Sequence, residues 1–310
     1  MKSRAKHIFI EYNTLIIFIL MVILSAAVSE SFFTGNNISN LVRQVAPIGL
    51  VSFGMLLVIL TGGIDLSVGS VVAAVGVCFA LLSYEVYFPY ALLLSLLAGA
   101  ITGMISGYLV AYQKIAPFIA TLAMMTIARG AGYYISKGAP VTVGEYSKSI
   151  LTLGSGDLWG IPWAVILLLA VFAVMYIVLR YNVFGRMLIA IGSNEEAVRL
   201  SGIPVKRYLF WVYTVAGLLS AMGALLMVSR TGVGSPNIGI GMELDVIAAV
   251  VIGGASLAGG KGSIVNTLLG VLILGMIGNV MNLLDIASYL QQVIKGGIIL
   301  LAVIFQRYQK

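Results

Sequence analysis

The chain has 310 residues, of which 60% are hydrophobic and 9% are charged. An ordinary globular chain has roughly 25% charged residues, and the mean hydropathy of +1.07 means that apolar side chains must also cover the outside of the molecule. These values exclude a water-soluble protein and predict one that lies in a lipid bilayer. The net charge of +7 makes nucleic acid a candidate partner. The chain has a single cysteine, which excludes an internal disulfide.

Ten apolar segments are candidates for membrane-spanning helices, which need roughly 20 residues each. The second and the eighth of them are short. The predicted spans are 11–29, 45–61, 66–84, 90–112, 117–136, 161–180, 208–229, 244–258, 263–284 and 286–305. The first also resembles a secretory signal peptide, but nine further spans already require insertion, so we predict that it stays as a helix. The fold class is therefore all-α integral membrane, with a single transmembrane domain over residues 1–310.

Basic residues are unevenly shared between the loops, and this sets the orientation because Lys and Arg favour the cytoplasmic side. With the N-terminus inside, twelve of the eighteen Lys and Arg lie in cytoplasmic segments and four in outer segments. Both termini are therefore predicted to be cytoplasmic. The twelve are spread over five segments without a basic patch, which removes nucleic acid as a partner and leaves membrane lipid. The two long connections are an outer loop at 137–158 and a cytoplasmic loop at 181–207.

Small residues recur at every fourth position along the fourth span. They are Ala91, Ser95, Gly99, Gly103, Gly107 and Ala111. Lipid provides no hydrophobic force between helices, so helices associate through close contact at such small residues. We predict that this face packs against another helix, and the alternative is that it lines a pore.

Glycine-rich segments interrupt apolar runs at two places, 62–70 and 253–263. Both begin with paired glycines and end in Gly-Ser, so they resemble corresponding parts of two halves. Broken helices within a membrane mark a transport path, because only protein or a water-filled cavity can satisfy the freed backbone groups. The candidates for the translocation path are residues of these segments and two amides of the ninth span: Gly62, Gly63, Asp65, Ser67, Ser256, Asn279 and Asn282.

The polar candidates also have purely structural interpretations. Asp65 or Ser67 is expected to cap the third helix in preference to contacting a substrate. Asn279 and Asn282 share one helix face, and they either bond to another helix or contact a hydroxylated solute. The charged residue Lys295 lies deep within the tenth span and is predicted to face the protein interior.

The sequence predicts neither a catalytic site nor a metal site, and no cofactor in this chain. The second interruption imitates a phosphate loop, but Ala255 and Gly262 stand where that loop requires a glycine and a hydroxyl residue. An alternative is a self-sufficient transporter coupled to an ion gradient. In it, Asp65 with Arg129 or Lys295 would form the ion-coupled relay. The alternative of an intramembrane enzyme has no support, because the sequence contains no paired carboxylates, histidine cluster or Ser/Lys dyad at a suitable spacing.

The cytoplasmic loop contains a short predicted helix of about two turns. Asn194 is a suitable N-cap, the two glutamates that follow it favour the positive end of the helix dipole, and Gly202 ends the helix. A small apolar face lies either at positions 197 and 200 or at positions 198 and 201. Such a long and structured connection predicts docking to a cytoplasmic partner. The predicted coupling residues are Asn194, Glu195, Glu196, Ala197, Arg199, Leu200, Ser201 and Gly202.

With these motifs, the chain resembles the permeases of bacterial monosaccharide ABC importers. The segment 185–204 is similar to the coupling loop of that family, and 63–70 is similar to its most characteristic signature. The segments 118–130 and 243–263 match as well, so the resemblance covers essentially the whole chain. The last seventy residues are most similar to ribose-importing members, whereas the paired glycines at 62 and 63 are typical of members that import other sugars.

The resemblance implies about ten helices in a fold similar to the large vitamin-importer type of ABC permease, in the bacterial cytoplasmic (inner) membrane. It implies a non-catalytic subunit for a monosaccharide, with ribose as the first expectation, that forms the translocation path as a dimer. The implied partners are a second permease copy, a cytoplasmic ABC ATPase with two nucleotide-binding halves that holds ATP and Mg, and an extracytoplasmic sugar-binding protein. The ATPase would act through the loop at 194–202. The ion-coupled secondary sugar transporter remains the alternative.

Overall fold

The computed structural model describes residues 13–308, which form a bundle of α-helices with four very short strands. The basic N-terminal residues used to predict the orientation therefore lie outside the described part. The helices are α1 Asn13–Val28, α2 Gly35–Leu60, α3 Val68–Leu82, α4 Phe88–Ala111, α5 Pro117–Ser136, α6 Leu151–Ser155, α7 Trp163–Tyr181, α8 Val183–Ser193, α9 Glu195–Leu200, α10 Val205–Thr231, α11 Met242–Ile252, α12 Ile264–Leu283 and α13 Ser288–Tyr308.

The strands form two antiparallel pairs in the connections between helices. Strand β1 (Val141–Thr142) pairs with β4 (Val233–Gly234), and β2 (Asp157–Leu158) pairs with β3 (Ile161–Pro162). A 3₁₀ helix at Glu145–Ile150 and α6 complete the predicted outer loop. One side of this loop packs onto the bundle, since Ile150 is fully buried and Gly144 N donates to Ser83 Oγ at 2.6 Å.

Six of the described helices are long and apolar enough to cross a membrane: α2, α4, α5, α7, α10 and α12. The apolar helices α1 and α3 are shorter, with 16 and 15 residues. The chain is thus mostly helical and multi-pass, while the number of ten spans and the orientation of the termini stay predictions. Within the described residues, each predicted span coincides with a helix over most of its length.

The second span is longer than predicted, because α2 begins at Gly35 and not near residue 45. Its first ten residues include Asn36, Asn37 and Arg43, and these polar side chains hide the helix from a search for apolar runs. A cap marks its true start, since Thr34 Oγ1 accepts a hydrogen bond from Asn37 N at 3.4 Å. The eighth span is short as predicted, since α11 has 11 residues.

Two helices, α2 and α10, form the centre of the bundle. Both are apolar on nearly every face and are buried along most of their length, as expected for helices that other helices surround. The predicted small-residue face of α4 packs on α10: a Cβ built on Gly99 or Gly107 would lie within 2.7 Å of α10 backbone atoms. The packing interpretation of this face is therefore confirmed, and the pore interpretation is wrong.

Candidate coupling and translocation sites

The helix predicted within the loop at 181–207 is present as α9. It begins as the sequence indicates, because Asn194 Oδ1 accepts a hydrogen bond from Ala197 N at 2.9 Å. After the helix, Gly202 has left-handed backbone with a φ of +80°, a conformation that favours glycine. Local signals in neighbouring residues thus define both ends of α9.

An ion pair joins two side chains on the outward face of α9. Arg199 donates to the Glu196 carboxylate from Nε at 3.0 Å and from NH2 at 2.6 Å. This hydrogen bond lowers the pKa of Glu196 and raises the pKa of Arg199. Because the two side chains are 61% and 62% exposed, solvent screens the pair and it contributes little to folding stability.

The apolar face of α9 consists of Ala197 and Leu200, and the other predicted pair is wrong. Leu200 is 76% exposed and Ala197 is exposed beside it. Val198 points the other way and packs in a small cluster with Ile191 and Val205. Helix α9 is therefore attached through Val198 and presents an open apolar and charged surface.

A second helix of this loop, α8, was missed by the sequence analysis. Asn182 caps it by accepting a hydrogen bond from Phe184 N at 2.9 Å. Its buried residues Gly185, Leu188 and Ile191 recur at every third position, the spacing of one helix face. The cap and this spacing were readable in the sequence, but eleven residues are too few for a span and were assigned to a loop.

The end of α8 lies directly against both interrupted segments. Leu60 is the last residue of α2, and its carbonyl oxygen accepts a hydrogen bond of 3.0 Å from Gly260 N of the second interruption. A Cβ on Gly192 would collide with Leu60 O, and one on Gly259 would lie 2.9 Å from Gly192 O. We call the contact of Leu60, Gly192, Gly259 and Gly260 the glycine junction. It joins the end of α8 to both interruptions through backbone atoms.

Beside the glycine junction is a cavity of about 890 Å³, here called the coupling cavity. Gly62 and Gly63 of the first interruption form one part of its wall, and Glu195 and Arg199 of α9 form another. Tyr213 of α10 also lines it, with a buried hydroxyl that has no hydrogen-bond partner among the described residues. Predicted coupling residues and predicted path residues thus face one cavity.

Asp65 and Ser67 are buried and hydrogen bonded to each other, and neither lines the coupling cavity. Ser67 N and Ser67 Oγ donate to Asp65 Oδ1 at 2.8 and 2.6 Å. Asp65 thus closes the turn that leads into α3, whereas the Ser67 side chain makes no cap bond. The geometry favours the structural interpretation of Asp65 over substrate contact.

The remaining path candidates make local or interhelical bonds. Ser256 Oγ accepts a backbone hydrogen bond within its own loop at 3.3 Å. Asn279 of α12 and Asn37 of α2 exchange hydrogen bonds of 2.7 and 3.0 Å. Asn282 accepts from Gln291 of α13 at 2.9 Å. Both amides of the ninth span therefore join helices.

A third break in the helices, at residues 232–241, was also missed. Gly239 lies against Gly69, so that α3 and α11 begin side by side. Arg129 of α5 holds this segment by donating to Pro236 O at 2.6 Å and to Ile238 O at 2.7 Å. Residues 230–243 fall between two predicted spans, and the sequence analysis assigned them no role. Adjacent starts of interrupted helices instead resemble the paths of other transporters.

The charged residues of the ion-coupled alternative do not meet. Asp65 bonds within its own turn and Arg129 bonds to backbone carbonyls. Lys295 donates to Asp245 at 2.9 Å, with both side chains about one-third exposed. No hydrogen bond links the three groups within residues 13–308, and no group of three or more His, Cys, Asp or Glu converges there on a metal-sized site.

Comparison with known proteins identifies the family of the chain. A family model described as the permease component of the branched-chain amino acid transport system matches residues 37–303. The chain belongs to this permease family. It is therefore a multi-pass protein of the bacterial cytoplasmic membrane, in agreement with its apolar helices. No solved structure gives a significant match.

Three relatives show the degree of similarity. The permease is 41% identical to the ribose import permease protein RbsC of Haemophilus influenzae over 96% of this chain and 94% of that one. It is 45% identical to the protein of the same name from Bacillus subtilis (strain 168) over 94% and 90%. It is 39% identical to the L-arabinose transport system permease protein AraH of Escherichia coli (strain K12) over 97% and 91%.

Proposed function

We propose that the chain is the membrane-spanning, non-catalytic subunit of an ATP-driven importer for ribose. The observation that carries the proposal is the end-to-end identity of 41–45% to ribose import permeases. The arabinose permease at 39% identity has a substrate of the same class, so a pentose is supported more strongly than any single sugar. The transport path is formed between two copies of the chain.

The packing of the bundle supports a path between copies over a path through one copy. The central helices α2 and α10 are surrounded by buried apolar side chains, including Leu50, Phe53 and Leu226. Such close-packed interiors leave no room for a sugar. A solute therefore crosses along an outer face, which a second copy of the permease closes.

The coupling loop supports a partner ATPase. Helix α9 presents Leu200 and the Glu196–Arg199 pair outward, and α8 ends on the glycine junction. In the proposal, a cytoplasmic ATPase with two nucleotide-binding halves, which holds ATP and Mg, docks on α9. Its closure moves α8 against Leu60 and Gly260, while an extracytoplasmic binding protein delivers the sugar.

Charge reversal on α9 tests this proposal. We expect Arg199→Glu to abolish ATP-driven ribose uptake by the importer reconstituted in vesicles with its ATPase and binding protein. The fold should persist, because a solvent-exposed ion pair contributes little to folding stability. The matched control is Lys148→Glu, which breaks the exposed Lys148–Glu145 pair of the same spacing in the outer loop and should leave uptake unchanged.

The exchanged pair Glu196→Arg with Arg199→Glu separates docking from local stability. If α9 docks to a partner, the double variant keeps the ion pair but still fails to transport. Restored transport in the double variant, or normal transport in Arg199→Glu, would contradict docking through this face. Uptake without an ATPase, driven by a proton or sodium gradient, would replace the proposal with the secondary transporter.

A further inference from the structure

A second cavity lies where α3 and α11 begin, against α5. Its volume is about 410 Å³, and we call it the α5 cavity. Polar side chains from three helices line it, together with Met125, Gly130, Ile240 and Gly241. These polar residues are Ser70 of α3, Thr126, Arg129 and Tyr133 of α5, and Glu243 of α11. None of them was among the path candidates predicted from the sequence.

The Arg129 guanidinium is fixed in place at one side of the α5 cavity. Its NH1 group donates to two backbone carbonyls, at 2.6 and 2.7 Å, and its other N–H groups donate to no residue of the described part. Tyr133 next to it donates to Asn237 Oδ1 at 2.5 Å. The segment 235–241 thus holds Arg129 beside the cavity, where the remaining N–H groups of Arg129 are available as donors.

Two acceptors in the α5 cavity lack partners. Ser70 is only 1% exposed, and neither its hydroxyl nor the Glu243 carboxylate hydrogen bonds to any residue within 13–308. A hydroxyl at a cavity wall without any partner is unfavourable by comparison with a bonded one. Because Ser70 lines the α5 cavity, a molecule within that cavity is the remaining partner for its hydroxyl.

The α5 cavity lies within the length of the membrane-spanning helix. Arg129 is twelve residues from Pro117 and seven from Ser136, so it is about 18 Å and about 10 Å from the two ends of α5. Charged side chains within a span face protein or a water-filled path because lipid does not solvate them. Opposite charges of Arg129 and Glu243 offset each other, which favours a neutral solute that has both donors and acceptors.

We propose that the α5 cavity is the subsite that holds the neutral sugar in transit. Ser70 and Glu243 accept from sugar hydroxyls, and Arg129 donates to them. The volume is near the lower end of the range of small-molecule sites, which suits a monosaccharide. This inference rests on the proposed function as a sugar importer and adds to it the place and the chemistry of binding.

Replacement of a single hydroxyl tests the subsite. We expect Ser70→Ala to lower ribose uptake roughly 3- to 10-fold, the loss of one hydrogen bond, and to lower uptake of a deoxyribose less. The matched control is Ser95→Ala, since Ser95 is also fully buried without a hydrogen-bond partner but lines neither cavity. ATPase stimulation by the sugar-loaded binding protein should stay at the wild-type level in both variants.

Cysteine modification tests whether the sugar passes Thr126. In a Cys78→Ser background, we expect a charged thiol reagent to block uptake by Thr126→Cys, with protection by ribose during turnover. Ile127→Cys is the control, because Ile127 is 60% exposed on the same helix but does not line the α5 cavity. Equal effects at both positions, or normal uptake by Ser70→Ala, would overturn the subsite. Failure of the wild-type importer to take up any sugar would instead overturn the proposed function.

Discussion

Glycine has different roles in two regions of this permease, the packed face of α4 and the glycine junction. On α4 the glycines are helical residues, and the absence of a Cβ lets the α10 backbone approach. A Cβ on Gly103 would collide with Tyr213 O. This contact repeats at Gly99 and Gly107, so several backbone contacts would have to break before the two helices could separate.

At the glycine junction, the glycines of the interruptions belong to turns. Gly259 and Gly260 have φ values of +87° and +73°, and nearby Gly62 has a φ of +79°. Residues with a side chain rarely adopt such values. One hydrogen bond, from Gly260 to Leu60, joins the second interruption to the end of α2, just before the first interruption. The comparison indicates a rigid region at α4 and α10 and a small contact at the junction, where we expect a small movement of α8 to displace both interruptions.

The largest expected effect comes from breaking the rigid region. We expect Gly103→Ala to destabilise the permease by about 1–3 kcal/mol, the typical cost of overpacking, because α10 backbone atoms leave no room for a Cβ. Thermal unfolding of the detergent-solubilised protein measures this. The control is Gly278→Ala on α12, where a Cβ meets nothing within 4 Å; unchanged stability in Gly103→Ala would disprove close packing of this face.

A smaller change in stability but a specific loss of function is expected at the junction. In Gly192→Ala the new Cβ collides with Leu60 O, and the turns yield more easily than packed helices. We expect ribose uptake to fall more than about tenfold while the protein loses less stability than Gly103→Ala, a combination typical of a lost functional contact. The measurements are uptake, ATPase activity and thermal unfolding of the same preparations.

The opposite pattern would contradict the comparison. Normal uptake by Gly192→Ala would show that α8 does not act through Leu60 and Gly260. A loss of stability as large as in Gly103→Ala would show that the junction is as rigid as the α4 face. The Gly278→Ala variant again serves as the control, with uptake and stability close to wild type.

The same contrast explains what the sequence revealed. Helix α9 and the α4 face were predictable because their signals are local: Asn194 and Gly202 flank one helix, and small residues recur every four positions along the other. Helix α8 was missed because it is shorter than a span. The start of α2 was missed because its polar residues outweigh its cap at Thr34.

The α5 cavity could not be predicted from the sequence for a different reason. Its polar residues come from three helices that are far apart in the chain, and only the approach of Gly69 to Gly239 places them together. Conversely, Asp65 and Asn279 were conspicuous as polar residues in apolar surroundings, yet both bond to protein groups. A polar residue in a membrane-spanning helix thus indicates a hydrogen bond. The fold determines whether the partner in that bond is another protein group or a solute.

The smallest expected effect concerns the Asn37–Asn279 pair, a polar contact between α2 and α12. We expect Asn279→Ala to lower stability by about 0.6–1.7 kcal/mol, as measured for interhelical bonds in membranes, and to leave ribose uptake unchanged. A double-mutant cycle with Asn37→Ala isolates the pair from the loss of either amide alone. Because the Asn279 amide is already bonded to Asn37, it has little capacity left for a sugar. A large loss of uptake without loss of stability would therefore return Asn279 to the translocation path and place a moving surface at α12.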